Sequence, residues 1–248
     1  MIPTTFDTAL AAQFHTDGFA VLPGLYGPAA VAAMLQCLEA APVSGPNFRR
    51  SHDVFAIRNL LGEVPGLWPL LDTAPLRALL AGLFPTGCHL VKAIYFDKPA
   101  GSNWWVAWHQ DLMINVNQYL AVPGFGPWTQ KQGAAAVQPP VAMLENVCTL
   151  RIHLDDCDAS NGALRVVPGS HRLGVLRPEA LAALTPAAMA CAVPAGGAML
   201  MRPLLLHASH RSTGERPRRV VHLECATVDL PAPLQWRERM EMTHLSEA

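Results

Sequence analysis

Residues 149–170, TLRIHLDDCDASNGALRVVPGS, contain two short runs, TLRIHL and ALRVV, separated by Asp, Asn and Gly. Runs of the same texture recur on either side: HLVKAIYFDK (89–98), AMLMRPLLLHAS (198–209) and RRVVHLECATV (218–228). Each is rich in Val, Ile, Leu or aromatic residues, and Gly, Pro, Asn and Asp punctuate them. So many short strands with irregular connections predict a sandwich or jelly-roll barrel rather than a parallel α/β sheet.

Upstream of residue 87 the texture is helical. FDTALAAQFHTDG is Ala-rich and stops at Gly18, FAVLPG is a short extended piece, and GPAAVAAMLQCLEAA is a second helix with Pro28 in its first turn. PGLWPLLDTAPLRALLAGLF (65–84) predicts two short helices. The organisation expected is one domain over 1–248, helical to about residue 86 and strand-rich over about 87–230. The stretch 117–140, rich in Pro, Gly, Gln and Ala around Trp128, predicts a long loop, a candidate lid over a site.

Composition narrows the class. Apolar residues make up 51% and charged residues 15% of the 248, which excludes a disordered chain. The net charge is −1, only three of the 18 basic residues are Lys, and the one compact basic group is Arg216–Arg219, so no nucleic-acid partner is expected. No signal peptide is visible in MIPTTFDTALAAQF and no apolar run is long enough for a membrane span. The six cysteines are widely spaced without a CxxC pair, as in a reducing compartment, so a cytoplasmic location is expected.

WVAWHQDLMI (105–114) places His109 and Asp111 two apart in a strand-like context, where alternate side chains face one side. Such a pair supplies two of the three ligands of a two-His-one-carboxylate triad, which leaves one face of Fe(II) open. The tripeptide alone is common at surfaces; the downstream half gives it weight. His207 ends an apolar run, and Arg218 follows eleven residues later at the start of another. A guanidinium fork suits the remote carboxylate of a 2-oxo-diacid, because it binds both oxygens at once.

The chain resembles the phytanoyl-CoA dioxygenase family of Fe(II)/2-oxoglutarate oxygenases along nearly its whole length. DGFAVLPG (17–24), WHQD (108–111), NGALRVVPGSHRLG (161–174) and HASHRSTGERPRR (207–219) carry the resemblance. It implies a mainly β chain with a double-stranded β-helix (jelly-roll) core and added N-terminal helices. It also implies His109, Asp111 and His207 as iron ligands, and Arg218 with Ser209 on the distal carboxylate of 2-oxoglutarate. The implied activity is that of a dioxygenase hydroxylating a small organic metabolite with O2 and releasing succinate and CO2.

Two departures from the family stand out. Family members commonly have Asn soon after the distal His, where this chain reads HRST (210–213), and often Trp where this chain has Arg151. On a strand Arg151 shares a face with Thr149 and His153. That face either looks into the barrel toward an anionic cosubstrate, or turns Arg151 toward an acidic residue on the outer sheet.

Other candidates have structural and functional readings side by side. His210 competes with His207 as the distal ligand but falls in a turn, while His222 reads as a hydrogen-bonded core histidine. His171 and Asn161–Gly162 read as turn chemistry. Alternation puts Trp105 on the His109 face and Trp104 and Trp108 on the other, either as packing or as a substrate wall. Lys92 can reach a carboxylate if it faces inward, and Arg58 lies where family members often carry a basic residue near the cosubstrate. Two alternative functions remain: an iron halogenase, which would need a small residue in place of Asp111, and a catalytically silent jelly-roll that binds a small molecule.

Overall fold

The computed structural model describes residues 8–42, 44–51, 55–131 and 134–242. Residues 1–7, where the first expected helix begins at Phe6, residues 132–133 of the 117–140 stretch and the end of the expected domain (243–248) lie outside the described residues. The strands in chain order are β1 (Phe19–Leu22), β2 (Phe48–Arg50), β3 (Phe55–Arg58), β4 (His89–Lys98), β5 (Val106–His109), β6 (Ile114–Val116), β7 (Trp128–Lys131) and β8 (Ala134–Val137). They continue with β9 (Val147–His153), β10 (Leu164–Val166), β11 (Met189–Ala190), β12 (Ala198–Met201), β13 (His207–Ser209), β14 (Arg218–Ala226) and β15 (Met240–Glu241).

Two antiparallel sheets form the jelly roll. The larger runs β1-β12-β9-β14-β4-β3-β2 with β15 beside β4, and the smaller runs β11-β10-β13-β5. Period-two patterning explains how the larger sheet is covered. Cys148, Leu150 and Ile152 on β9, and Val221, Leu223 and Cys225 on β14, join one apolar cluster with Phe14, Met34, Leu71 and Leu76. Those partners come from the helices α1 (Thr8–Asp17), α2 (Pro28–Glu39), α3 (Trp68–Leu71) and α4 (Ala74–Leu83). Each aliphatic side chain fully buried there contributes about 1.5–3 kcal/mol.

The alternate positions carry different chemistry. Thr149, Arg151 and His153 on β9, and Arg218, His222 and Glu224 on β14, are all buried on the face toward the smaller sheet. Burying this much polarity is costly unless each group finds a partner or a ligand. The inner face is therefore where a site is to be sought.

The front of the chain is helical where expected, with α1 ending at Gly18 (φ 80°) and Pro28 opening α2. It also adds strands: β1 pairs with β12, and the hairpin β2–β3 extends the larger sheet beyond β4. Residues 117–140 are not one irregular loop. They contain β7 and β8, which pair with each other, and β8 pairs with β6 in a separate three-stranded sheet. Val116, Val137, Leu144 and Trp236 anchor that sheet in a second apolar cluster. All six cysteines are free, and no helix among the described residues is long and apolar enough to cross a membrane.

Candidate metal centre

His109, Asp111 and His207 come together with ligand atoms all within 4.8 Å of one another. Asp111 stands between the imidazoles, with Oδ1 3.6 Å from His109 Nε2 and Oδ2 3.7 Å from His207 Nε2. The opposite nitrogen of each ring is tied to the backbone two residues earlier: His109 Nδ1 to the Ala107 carbonyl (2.8 Å) and His207 Nδ1 to the Leu205 carbonyl (2.9 Å). Those carbonyls accept a hydrogen bond from Nδ1–H, so both Nε2 lone pairs face the carboxylate. Two neutral imidazoles and one carboxylate on one side of a cavity fit Fe(II) with open coordination positions.

Electrostatics keeps His207 and Asp111 in their metal-binding protonation states. Burial pulls the His207 imidazole down to about 4. Burial opposes the Asp111 carboxylate, but His207, His222, His109 and Lys92 together hold it at about 2.

The local fold brings the pair together by a route other than strand alternation. β5 ends at His109, and Asp111 lies beyond it, its amide bonded to the Pro203 carbonyl (2.8 Å). Gln110, between them, points away and ties two distant stretches, 174–176 and Leu204, to this one. Its Nε2 donates to the Gly174 and Leu204 carbonyls (2.8 and 2.7 Å), and its Oε1 accepts from the Leu176 amide (2.8 Å). Against β13, His109 pairs with His207 and Val106 with Ser209, so β5 carries an extra residue. This bulge lets Val106 and His109, three apart, both face the cavity.

The cavity holds about 200 Å3. The metal triad, Arg151, Ser209, Arg218 and His222 line it, with Phe96, Trp104, Val106 and Leu164 as its apolar wall. Among the described residues neither Arg151 nor Arg218 forms a salt bridge. The Nε of each, and Ser209 Oγ, are buried without a hydrogen-bond partner. Burial, with Arg218 nearby, draws Arg151 down to about 10, and burial also lowers Arg218. Two enclosed guanidiniums without a carboxylate make an anion-shaped demand.

The other expectations sort as follows. Arg151 faces inward and not toward an acidic residue of the outer sheet; its NH1 meets His222 Nδ1 at 3.1 Å. His222 is a hydrogen-bonded core histidine, its Nε2 3.1 Å from Glu224, which also accepts from Lys92 (2.8 Å). Thr149 shares the Arg151 face but is not on the cavity wall; it lies across from Glu224 and Met201, fully buried, its hydroxyl without a partner. His210 is exposed and meets Arg165 (3.0 Å), away from the triad. Trp104, not Trp105, lines the cavity, because the chain becomes a strand only at Val106 and alternation does not extend back to the tryptophans. Arg58 lines a neighbouring cleft instead of this cavity.

The motif NGALRVVPGSH supplies no ligand, yet it holds two functional side chains. The Gly162 carbonyl accepts from Arg218 NH1, so the Asn161–Gly162 turn is a seat for that guanidinium. Gly162 has φ +80°, and an added Cβ would meet Lys98 Nζ at 2.6 Å and the His210 carbonyl oxygen at 2.7 Å. Ser170 Oγ donates to Val167 O and accepts from the Leu206 amide (2.9 Å), fixing the residue before His207. The sequence signal for both roles was the motif itself, which reads only as turn chemistry without the packing.

The family model described as phytanoyl-CoA dioxygenase (PhyH) matches residues 14–220. EctD from S. alaskensis, in its apoform, superposes with a TM-score of 0.69 at 20% identity, covering 96% of this chain and 89% of that one. HygX from Streptomyces hygroscopicus, solved with nickel and 2-oxoglutarate bound, gives 0.65 at 18%, covering 91% and 89%. The non-haem α-ketoglutarate-dependent carbocyclase SnoK from nogalamycin biosynthesis gives 0.65 at 15%, covering 94% and 87%. At these identities the likeness carries the fold alone. No curated protein sequence matches the chain.

Proposed function

The chain belongs to the phytanoyl-CoA dioxygenase family, whose members use Fe(II), 2-oxoglutarate and O2, and from that membership we propose that it hydroxylates a small organic metabolite. The observation that carries this reading is one cavity with two complementary ends. At one end are His109, Asp111 and His207; at the other are Arg151 and Arg218, buried without a salt bridge among the described residues. A 2-oxo-diacid has a chelating end for the metal and a remote carboxylate for the arginines.

Bound iron, with 2-oxoglutarate and O2, supplies the oxidative decarboxylation that yields succinate and CO2 and oxidises a C–H bond. The protein's part is geometry. His109 Nε2, His207 Nε2 and one Asp111 oxygen would hold the metal, and the backbone carbonyls behind the rings fix the tautomer with the hydrogen on Nδ1, which leaves Nε2 as the ligand atom. Arg218, seated on the Gly162 carbonyl, and Arg151, seated on His222, fix the remote carboxylate with the Ser209 hydroxyl between strands. Phe96, Trp104, Val106 and Leu164 exclude water from the reacting centre.

Asp111 weighs against the halogenase alternative, which needs that coordination position open. Succinate release tests the reading. The iron-loaded enzyme with 2-oxoglutarate and O2 should release succinate, faster with a compound from a metabolite panel that gains one oxygen atom. Tight binding of 2-oxoglutarate with no succinate under any condition would make the chain a silent binding protein. A chlorinated product in the presence of chloride would make it a halogenase.

A further inference from the structure

Four polar side chains outside the metal triad form one chain across the inner face of the larger sheet. His222 and Glu224 are two apart on β14 and share that face. The strand register sets Arg151 of β9 directly across from His222, and Lys92 of β4 directly across from Glu224. Cross-strand partners lie about 4.5–5.5 Å apart at Cβ, close enough for such long side chains to meet. Lys92 Nζ donates to Glu224 Oε1 (2.8 Å), the same oxygen lies 3.1 Å from His222 Nε2, and His222 Nδ1 lies 3.1 Å from Arg151 NH1. The His222 and Glu224 side chains are 7% and 8% exposed, so little water competes for these contacts.

Donors and acceptors fix one arrangement of this chain. Lys92 and Glu224 carry opposite charges and balance each other. A carboxylate only accepts, so the hydrogen between Glu224 and His222 sits on Nε2. A guanidinium only donates, so Nδ1 carries the lone pair that receives Arg151. The neutral ring with its hydrogen on Nε2 satisfies both neighbours. The other tautomer would set acceptor against acceptor and donor against donor, and the doubly protonated ring would oppose Arg151. Burial lowers His222 below the usual imidazole value, in keeping with the neutral ring. Phe96 closes another side: its ring meets His222 edge-on at 5.9 Å, and the Arg151 guanidinium lies 6.0 Å from its centroid. Arg151 NH1 is thus held, while its Nε is buried without a hydrogen-bond partner. A long side chain fixed in advance loses less freedom when a ligand arrives.

We propose that Glu224, balanced by Lys92, is a positioning residue for the cosubstrate: through His222 it holds Arg151 with its Nε edge free for the remote carboxylate of 2-oxoglutarate. Glu224 is not on the cavity wall. It acts by fixing which nitrogen of His222 receives Arg151. The device belongs to this chain's own departure from the family pattern, since Arg151 stands where family members often carry Trp. The proposal rests on the reading of the cavity as a 2-oxoglutarate site.

Two measurements test it. Nitrogen-15 NMR of the protein loaded with diamagnetic zinc and 2-oxoglutarate reads the His222 ring directly, its signal assigned by loss in His222→Gln. A neutral ring protonated on Nε2 is expected; one protonated on Nδ1, or on both nitrogens, overturns the inference. Anaerobic 2-oxoglutarate titration of the iron-loaded enzyme reads the consequence. Lys92→Met/Glu224→Leu removes the ion pair without stranding a charge, and should raise Kd about fivefold or more. Lys92→Met/Glu224→Gln, whose side-chain carbonyl still accepts from Nε2, should restore affinity to within about twofold of wild type. With Arg151→Met already in place, the Met/Leu pair of substitutions should change nothing further. An unchanged Kd in the Met/Leu variant, an equal rise with and without Arg151, or no recovery in the Met/Gln variant overturns the inference and leaves the oxidising centre intact. Wild-type enzyme that binds no 2-oxoglutarate removes the centre itself, and this proposal with it.

Discussion

Replacing Arg151 with Met should weaken 2-oxoglutarate binding while leaving the metal-free protein as stable as before, or more so. Arg151 is 8% exposed, forms no salt bridge among the described residues, and shares its cavity with a second buried guanidinium, Arg218. Its one hydrogen bond among the described residues, to His222, contributes about 1 kcal/mol, and burying an uncompensated charge costs at least as much. The apoprotein should therefore change by about 0–3 kcal/mol in the stabilising direction. With 2-oxoglutarate present the sign reverses, because a charge-assisted hydrogen bond to the remote carboxylate contributes about 1.5–3 kcal/mol. That corresponds to roughly a 10- to 150-fold rise in Kd. Anaerobic titration of the Fe(II) enzyme measures the second effect, and urea unfolding of the metal-free protein measures the first. An apoprotein weakened by more than about 2 kcal/mol with 2-oxoglutarate affinity unchanged would refute the reasoning and make Arg151 a structural residue.

Gln110→Leu removes three hydrogen bonds to the backbone of Gly174, Leu204 and Leu176. It should cost about 2–4 kcal/mol in denaturant unfolding and weaken metal binding about 10- to 100-fold in a competition titration. Gly162→Ala places a Cβ against Lys98 and the His210 carbonyl at φ +80°, so a loss of about 2 kcal/mol or more is expected. Because the Gly162 carbonyl seats Arg218, 2-oxoglutarate affinity should fall in the same variant. Burial holds His153, His207 and His222 below the usual imidazole value. Once unfolded they titrate near about 6.5, so below that pH the unfolded chain binds more protons than the folded one. Stability of the metal-free protein should therefore fall as pH drops from about 6.5 toward 4, by up to ~1.4 kcal/mol per unit for each imidazole. Denaturant midpoints across that window check this, and a flat profile would contradict it.

Much of the jelly roll was legible because its long strands alternate cleanly. On 147–153 and 218–226 the odd and even positions differ in chemistry, one set apolar against the helices, the other polar toward the site. The hairpin β2–β3 was not legible, since strands of three and four residues carry too few positions for a period to show. The 117–140 stretch misled for another reason: AAAV has low strand propensity and becomes a strand only through pairing with β6 and β7.

At the site, His109, Asp111 and His207 were legible from residue type and spacing, and Arg218 from its distance to His207. How they converge was not. Asp111 reaches its place through a clamp by Gln110 and a bond to Pro203, and both depend on chain segments far away in sequence. Tryptophans 104 and 105 were assigned by alternation to faces the chain does not have, because it is not yet a strand there.

The central claim is that one cavity holds Fe(II) on His109, Asp111 and His207 and 2-oxoglutarate between that metal and Arg218. Anaerobic addition of Fe(II) and 2-oxoglutarate, followed in visible light, tests it most directly. A metal-to-ligand charge-transfer band should appear only when both are present, should vanish in Asp111→Ala, and should need far more 2-oxoglutarate in Arg218→Ala. No band in the wild-type protein, or an undiminished band in Asp111→Ala, would contradict the account.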